Sequence, residues 1–372
     1  MNAVIHDPET GHWLQFTRPR TVMQSTDPSE VIPVLAEVEK RVECDGLYAA
    51  GWISYEAASA FDAALRTCPA TAFPLACFGL FNAPAPLKAL PAVSAQRSAI
   101  AVWQPSVTRS GYDAAIARIR EHIAAGDTYQ VNYTLRQMSS FLEDPWEFFC
   151  RTCADAPYAA FIDGDRFSLC SASPELFFSL RDQEICSKPM KGTASRGKTL
   201  AEDLANAEWL HRSEKNRAEN VMIVDMIRND LGRIARTGSV RVPRMYEIEK
   251  YATVWQMTST VEARTAAPFP DILRALFPCA SITGAPKVKT MELIASIEAT
   301  PRNIYTGAIG FLGPGRRARF SVAIRTILVD KFAHRAEYGV GGGIVWDSTA
   351  GEEYEECLNK ARIILDPVSP RP

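Results

Sequence analysis

Residues 319–346, RFSVAIRTILVDKFAHRAEYGVGGGIVW, indicate the fold, because they contain two strand-like runs joined by a short polar segment. β-Branched and aromatic residues are frequent in these runs, and the intervening residues 330–335 suit a hairpin-like turn. Similar runs occupy residues 128–138, 158–164, 166–180 and 304–313. Strands that are grouped by short turns, with helices segregated from them, predict an α+β fold with mostly antiparallel sheets.

Two long helices are predicted outside these runs, at residues 204–234 and 286–299. The centre of the first is apolar on nearly every side, so we expect it to be buried. This central part, residues 218–232, also contains four charged residues: Glu219, Asp225, Arg228 and Asp230. Burying an unpaired charge costs several kcal/mol, so each must form an ion pair, cap a helix or bind a ligand. For Asp225 and Arg228 we favour a structural ion-pair network.

Length and composition limit the class of protein. The chain has 372 residues, enough for a large core, and its formal charge of −2 gives no basic field that would attract nucleic acid or a membrane surface. The N-terminus, MNAVIHDPETGHW, lacks the basic and apolar regions of a signal peptide. Nine cysteines at irregular spacing are typical of reduced thiols in the cytoplasm. The pair of Cys150 and Cys153 has no second pair nearby, so we expect no zinc or redox site there.

An Ala- and Pro-rich stretch at residues 82–99 predicts a connector between two regions of the chain. We assign residues 1–109 to an N-terminal region that includes this connector and packs on the core. Residues 110–366 then form the core, and residues 367–372 form a tail.

Three segments of the predicted core contain residues suited to chemistry. Residues 187–197, SKPMKGTASRG, hold two lysines beside a strand, although a solvated turn would look similar. Glu353, Glu356 and Lys360 share one face of a predicted helix, where paired carboxylates suit a hard cation and a solvated charged face is the alternative. Consecutive glycines in a strand favour close approach of a ligand to the backbone, with a bulge as the alternative; they are Gly341, Gly342 and Gly343.

Ten segments in collinear order together resemble the chorismate-utilising enzyme family, which includes anthranilate, aminodeoxychorismate and isochorismate synthases. The matching segments lie between about residues 110 and 365 and read GDTYQVNYT, SASPELF, KPMKGTASRG, RAENVMIVDMIRNDLGRI, YATVWQMTSTV, FPCASITGAPKVKTMELI, IYTGAIGF, VAIRT, GGGIVWDS and EEYEECLNKA. The resemblance implies two large antiparallel β-sheets packed together and flanked by helices, with chorismate and Mg²⁺ bound between them.

The resemblance also implies roles for individual residues. Glu219 and Glu356 resemble the Mg²⁺ ligands of the family, with Glu353 assisting directly or through water. Glu175 resembles the general acid/base that protonates the departing hydroxyl group, and we expect burial to raise its pKa. Contacts to the carboxylates of the substrate are implied for Gly192, Thr193, Tyr305, Arg325, Gly341, Gly342, Gly343 and Lys360.

Two positions distinguish the branches of the family. Lys191 lies in a Pro-x-Lys-Gly-Thr segment that resembles the aminodeoxychorismate synthases, whereas the anthranilate and isochorismate synthases usually have Ala at this position. In the former branch the lysine amine is thought to attack C2 of chorismate, and burial near cations would favour the neutral, nucleophilic amine. A lysine that only contacts an anion is the alternative. Gln130 stands where isochorismate-forming members have a lysine that activates water, so ammonia is the expected nucleophile.

The resemblance therefore implies amination of chorismate at C4 to 4-amino-4-deoxychorismate, the precursor of 4-aminobenzoate and folate. The alternative is an anthranilate synthase large subunit, which aminates C2 with loss of pyruvate. Gln256 weighs against it, because anthranilate synthases typically have His there. The sequence has no Gly-x-Cys-x-Gly elbow of a glutaminase, so we expect ammonia from a glutamine amidotransferase subunit or from solution. A catalytically silent regulatory subunit is a third hypothesis, against which the intact site residues argue.

Overall fold

The computed structural model of the chain describes residues 1–93, 102–251 and 254–365. It contains two antiparallel β-sheets with helices on their outer faces, so the predicted fold class is confirmed. Residues 94–99 of the predicted connector and the predicted tail lie outside the described residues. None of the helices in the described ranges combines the length and the apolar character that a membrane crossing demands.

Sheet A has ten strands in the described part of the chain, and they are named here by their order in the sequence. From one edge to the other they are β16 (Gly284–Ala285), β8 (Gln130–Ser140), β20 (Arg335–Ile344), β19 (Thr326–Asp330), β10 (Phe167–Ser173), β9 (Tyr158–Asp163), β1 (Asn2–Asp7), β2 (His12–Phe16) and β6 (Ala85–Leu87), with β7 (Gln104–Pro105) beside β8.

Sheet B also has ten strands in the described ranges. Their order is β13 (Met190–Ser195), β15 (Val254–Arg264), β12 (Glu184–Lys188), β11 (Leu176–Arg181), β18 (Arg317–Val322), β17 (Ala308–Gly313), β4 (Tyr48–Ile53), β5 (Ala76–Phe81) and β3 (Thr21–Ser25), with β14 (Arg241–Lys250) beside β15.

Two strand-like runs of the sequence each divide between the sheets. Residues 166–180 form β10 in sheet A and β11 in sheet B, and residues 319–329 form β18 in sheet B and β19 in sheet A. The predicted continuous strands are therefore wrong at these points. The two crossings lie side by side, because β10 pairs with β19 and β11 pairs with β18. Glu175 and Arg325 are at the crossings, and Arg325 has a positive φ of 51° there.

The helices cover the outer faces of the sheets. They are α1 (Pro28–Asp45), α2 (Ala58–Phe61), α3 (Arg109–Ala124), α4 (Pro145–Thr152), α5 (Leu200–Arg212), α6 (Glu214–Gly232), α7 (Phe269–Leu276), α8 (Lys287–Ile297) and α9 (Ala350–Leu365). Their starts follow from capping: the side chains of Asp27, Thr108, Asp144 and Thr199 each accept a hydrogen bond from a backbone N–H in the first turn. Helix α1 ends at Gly46, whose φ of 66° is favourable for glycine.

The long helix predicted at residues 204–234 is divided at Ser213. This residue has extended backbone angles, and its side chain accepts a hydrogen bond from the backbone N–H of Asn216. A serine that satisfies a free N–H in this way starts a new helix, so α5 and α6 are separate. Only one face of α6 is buried, and Asp225 and Arg228 form an ion pair of 2.8 Å on its exposed face. The prediction of a buried helix was wrong for that face, but the expected ion pair is confirmed.

The N-terminal region contributes strands to both sheets. Strands β1, β2 and β6 extend sheet A, and β3, β4 and β5 extend sheet B. Its pairing partners lie far along the chain, since β1 pairs with β9 and β4 pairs with β17. We predicted that the N-terminal region packs on the core. Its strands instead continue the core sheets, because unpaired backbone groups at a sheet edge are satisfied by adding a strand.

The three larger hydrophobic clusters of the described residues separate the layers. One lies between the sheets and includes Ile5 and Leu169 of sheet A and Trp52 and Phe311 of sheet B. A second joins sheet B to α1, α6 and α7, and a third joins sheet A to α3, α4, α8 and α9. The polar site described below lies where β13 and α6 of sheet B meet β8, β20 and α9 of sheet A.

Candidate active site

Lys191 is at the centre of the predicted site residues. It lies in β13, its side chain is 22% exposed, and its Nζ is 3.4 Å from Oε2 of Glu219 on α6. The charge of Lys191 also acts on the carboxyl groups of Glu175, Glu353 and Glu356. The expectation that cations favour the neutral amine stays a prediction for this lysine. Carboxylates surround it, and it supplies part of their counter-charge.

Because Gly343 has no side chain, the side chains of Lys191 and Gln130 both approach its backbone. A Cβ at Gly343 would lie 2.7 Å from Nε2 of Gln130 and 3.2 Å from Nζ of Lys191. Gln130 is only 1% exposed, and neither polar atom of its amide has a hydrogen-bond partner in the described residues. Buried amides normally have partners, so this one is available to a bound molecule beside the lysine amine.

Glu175 is buried at the crossing between β10 and β11. It is 4% exposed, and Oγ of Ser281 donates to its Oε1 over 2.8 Å. Burial raises the pKa of Glu175 to about 7, although the hydrogen bonds from Ser281 and the Met190 N–H and the charge of Lys191 oppose this shift. The direction is the expected one. A carboxyl group that is half protonated near neutral pH is suited to donate a proton.

Helix α9 brings Glu353, Glu356 and Lys360 to the glycine run in β20. A Cβ at Gly342 would lie 2.9 Å from Oε2 of Glu353 and 3.8 Å from Oε1 of Glu356. Nζ of Lys360 is 2.6 Å from Oε1 of Glu356 and donates to the Gly341 carbonyl over 2.9 Å. Successive residues of a strand face opposite sides of the sheet. The bare backbone of Gly342 therefore faces α9, and the bare backbone of Gly343 faces Lys191.

The pKa values of Glu353 and Glu356, two of the glutamates of α9, are shifted in opposite directions. Burial raises the pKa of Glu353, against the hydrogen bond from Ser348. Burial also acts to raise the pKa of Glu356, but the ion pair with Lys360 and the charges of Lys191 and Lys215 hold it below its ordinary value. Glu356 is therefore ionised at neutral pH, as a metal ligand must be.

The chemistry of the three predicted ligands suits Mg²⁺. This ion is held by one or two protein carboxylates and completes its shell with water and substrate oxygens. Among the described residues no group of three or more acidic, histidine or cysteine side chains is placed so that it could hold a metal ion. Glu219 pairs with Lys191 and Glu356 pairs with Lys360, so these carboxylates suit an ion that takes its other ligands from water and a substrate.

Gly192 and Thr193 follow Lys191 in β13 and are braced by Gln256. Thr193 Oγ1 donates to Oε1 of Gln256 over 2.9 Å, and Nε2 of Gln256 donates to the Gly192 carbonyl over 2.7 Å. Gly192 has a φ of 99°, and a Cβ there would lie 3.0 Å from the side chain of Asn216. Glycine is required for both reasons.

Tyr305 and Arg325 are predicted carboxylate contacts that form no hydrogen bond or ion pair with Lys191 in the described residues. Tyr305 is 6% exposed. Arg325 is partly buried, burial lowers its pKa, and the groups acting on its charge are the hydroxyls of Tyr338 and Tyr251 rather than a carboxylate. Within the described ranges, no hydrogen bond or ion pair joins either side chain to Lys191 or the glutamates. A guanidinium without an anionic protein partner is suited to an anionic ligand.

Several residues of the site were missed or not interpreted from the sequence. Ser281 was not singled out, although it lies in the CASITGAP segment, and Gln256 was considered only as a departure from histidine. Neither has a local pattern that reveals its contact, because each partner is more than 60 residues away.

Comparison with known proteins supports the predicted resemblance. Residues 2–366 match the family described as chorismate binding enzyme. Aminodeoxychorismate synthase component 1 of Bacillus subtilis (strain 168) is 42% identical over 258 residues, which cover 68% of this chain and 54% of that protein. Anthranilate synthase component 1 of Haloarcula marismortui is 38% identical over 273 residues, which cover 72% of this chain and 55% of that protein. The chain thus spans about half the length of these curated relatives.

The solved structure of anthranilate synthase component I from Streptococcus pneumoniae TIGR4 has the same fold. It matches with a TM-score of 0.81 at 24% sequence identity, covering 98% of this chain and 92% of that chain. The family match begins at residue 2 rather than near residue 110, which agrees with the strands that the N-terminal region adds to both sheets.

Proposed function

Because the chain belongs to the chorismate-binding enzyme family, we propose that it aminates chorismate at C4 and produces 4-amino-4-deoxychorismate, the precursor of 4-aminobenzoate and folate. The observation that carries this proposal is the position of the Lys191 amine, beside the unpartnered amide of Gln130 and within the electrostatic range of Glu175. The 42% identity to an aminodeoxychorismate synthase component 1 also supports it.

The proposed reaction uses Lys191 as a transient nucleophile. Its neutral amine forms a bond to C2, the two ring double bonds shift, and the C4 hydroxyl group leaves as water with the proton of Glu175. Ammonia then bonds to C4, the double bonds shift back, and the bond between C2 and Nζ breaks. The product leaves with a protonated amine, Lys191 is restored, and solvent returns a proton to Glu175. The sum is chorismate and ammonia to 4-amino-4-deoxychorismate and water.

Other residues of the chain would bind and orient the substrate. Arg325, Tyr305, Gly192, Thr193 and Lys360, with the Gly341, Gly342 and Gly343 backbone, are proposed to contact its carboxylates. Glu219 and Glu356, assisted by Glu353, are proposed to hold Mg²⁺, which when bound supplies positive charge for the ring carboxylate. The nine free cysteines are consistent with a cytoplasmic enzyme, which is the location we propose.

Replacing Glu219 or Glu356 with glutamine is expected to weaken Mg²⁺ binding by about tenfold or more, because a ligand charge is lost while the shape is kept. Calorimetric titration with MgCl₂ and the half-saturating Mg²⁺ concentration for chorismate consumption would measure this. Glu355→Gln, at an exposed neighbouring position on α9, is the matched control. Unchanged Mg²⁺ dependence in both variants would contradict the assignment.

The product identifies the reaction. Chorismate, MgCl₂ and ammonium chloride are incubated with the chain, and an aminodeoxychorismate lyase is then added. Formation of 4-aminobenzoate only after the lyase is added supports the proposal. The alternative is anthranilate synthesis, which the 38% identity to an anthranilate synthase component 1 keeps open. Fluorescent anthranilate formed without the lyase would establish this alternative and refute amination at C4.

The nitrogen source is a separate prediction. We expect the chain alone to use ammonium salts and not glutamine, because no glutaminase elbow is present in the 372 residues. At fixed total ammonium the rate should rise with pH as NH₃ replaces NH₄⁺, until groups of the site titrate. Adding the matching glutamine amidotransferase should then allow the use of glutamine. Chorismate consumption by the pure chain with glutamine as sole nitrogen source would contradict the proposed partner.

A further inference from the structure

Tyr305 is held between a glycine and a buried arginine. A Cβ built on Gly339 would lie 2.1 Å from Cγ of the Tyr305 ring, so the ring rests directly on bare backbone. The guanidinium carbon of Arg136 is 5.4 Å from the ring centroid, within the range of a cation–π contact. Gly339 and Arg136 are direct partners across β20 and β8, so both project from the same face of sheet A.

Arg136 is itself held firmly. Its side chain is 1% exposed, and Nη2 donates to Oγ1 of Thr134 over 2.8 Å and to Oε2 of Glu298 over 3.0 Å. Its Nε and Nη1 have no hydrogen-bond partner among the described residues. The hydrogen bonds therefore engage one end of the guanidinium, and its carbon lies over the Tyr305 ring.

A second arginine connects this arrangement to the Tyr305 loop, residues 302–306. Arg302 donates to both carboxylate oxygens of Glu298, over 3.0 and 2.7 Å, and to Oγ1 of Thr306 over 3.2 Å. Burial would raise the pKa of Glu298, but Arg302 and Arg136 hold it below the ordinary value, so the carboxylate is ionised. Asn303 and Thr306 have positive φ of 53° and 60°. Such strained residues persist only where their surroundings hold them.

We propose that Arg136 and Gly339 are positioning residues that fix Tyr305 for chorismate binding, and that Glu298 and Arg302 hold Arg136 and the Tyr305 loop in place. The inference rests on the proposed function, which supplies the identity of the ligand. Gly339 is four residues from Gly343, or about 13 Å along the strand at ~3.3 Å per residue. Tyr305 therefore acts at a distance from the bond changes at Lys191, and its displacement should affect substrate affinity more than turnover.

Double-mutant cycles test this proposal. Gly339→Ala forces the ring to move, and Arg136→Lys keeps the charge but loses the planar fork. Each is expected to raise the KM for chorismate about tenfold and to leave kcat within about threefold. Tyr305→Phe should also raise KM. In the Tyr305→Phe background, the first two substitutions should add less than about twofold, because they act through the tyrosine. Effects that multiply in full would overturn the proposal.

The control is another glycine whose bare backbone is in contact with a tyrosine ring. A Cβ on Gly313 in β17 would lie 2.8 Å from the ring of Tyr48, so Gly313→Ala imposes a similar collision in sheet B. We expect it to lower the thermal stability without changing KM. If Gly339→Ala does not fold, the cycle of Arg136→Lys with Tyr305→Phe decides. If that variant does not fold either, Thr134→Val takes its place, because it removes the hydroxyl that accepts from Nη2 of Arg136 and donates to Glu298.

The proposed function and this inference fail in different ways. Calorimetric titration with chorismate and MgCl₂ measures affinity without turnover. A chain that binds chorismate but does not aminate it would contradict the proposed function, and the cycle would still be measured from Kd. If the wild-type chain aminates chorismate and the folded Gly339→Ala variant has an unchanged KM, the proposed function stands and only the positioning of Tyr305 is contradicted.

Discussion

Replacing Lys191 by alanine is expected to lower the rate of 4-amino-4-deoxychorismate formation by roughly 10³-fold, equivalent to about 4 kcal/mol of barrier. The physical reason is that the covalent route requires the lysine amine, and no other amine pairs with Glu219 in the described residues. Steady-state assays with ammonium chloride and added lyase would measure the loss. Full activity in the alanine variant would eliminate the covalent route.

The same position distinguishes a nucleophile from an anion contact. Lys191→Arg retains a cation that can pair with Glu219, but a guanidinium stays protonated and cannot attack carbon. We expect this variant to be as inactive as alanine. If Lys191 only contacts an anion, the arginine should keep much of the activity. Lys188→Ala is the matched control, because Lys188 has a similar exposure of 26% and also pairs with a glutamate, Glu249.

Mass spectrometry can detect the intermediate itself. Denaturing quench of the wild-type chain with chorismate and MgCl₂, without ammonium, should give an intact-mass increase equal to chorismate less one water. Lys191→Arg should show no increase under the same conditions. An adduct of that mass in the arginine variant would place the covalent bond on another residue.

Replacing Glu175 by glutamine is expected to lower kcat by about 10²- to 10⁴-fold, the usual contribution of a positioned general acid. Glutamine keeps the shape and can still accept the hydrogen bond from Ser281, but it has no proton of this acidity to give to the departing hydroxyl group. Steady-state kinetics at saturating chorismate and Mg²⁺ would measure the loss. Activity within tenfold of wild type would mean that another group protonates the hydroxyl.

The pH dependence gives an independent test of Glu175. Burial raises its pKa to about 7, so the acid form predominates below that pH and its fraction falls as the pH rises. With the NH₃ concentration held constant, kcat should decline above pH ~7 by about tenfold per unit. The decline should be absent in Glu175→Gln. Glu56→Gln is the control, because burial also raises the pKa of Glu56 to about 7. In this variant kcat should decline at the same pH as in the wild type.

The fold class was predictable from local sequence, and the candidate site residues followed from the resemblance of ten segments to a known family. Alternating apolar and polar residues indicate strands wherever one face of a sheet is buried, and short turns between them indicate antiparallel neighbours. The antiparallel sheets could therefore be predicted without tertiary information. Lys191, Glu219 and Glu356 could be proposed because they lie in segments that resemble the chorismate-utilising enzymes, whereas the residue types alone also suited a solvated surface. The helical spacing of Glu353, Glu356 and Lys360 placed them on one face, and α9 confirms that spacing.

Other features were decided only by the tertiary structure. Ser213 divides α5 from α6 through a hydrogen bond of its side chain, and a serine in an otherwise helical pattern does not reveal which backbone group it will bind. The N-terminal strands join both sheets because their partners are strands such as β9 and β17, far along the chain. No local pattern specifies such a partner, since any strand with a matching buried face could pair.

The crossings between the sheets show the limit most clearly. Residues 166–180 and 319–329 each have the sequence pattern of one strand. In two sheets packed face to face, strands of either sheet bury apolar side chains between them, so the pattern does not show where the chain passes from one sheet to the other. Pairing of β10 with β19 and of β11 with β18 makes both runs change sheets at one place, and this puts Glu175 and Arg325 into the interior. The resemblance of the sequence to a known family indicated which residues have chemistry suited to the proposed amination. Long-range strand register determined that they meet, because contacts between residues more than 100 positions apart depend on the whole sheet.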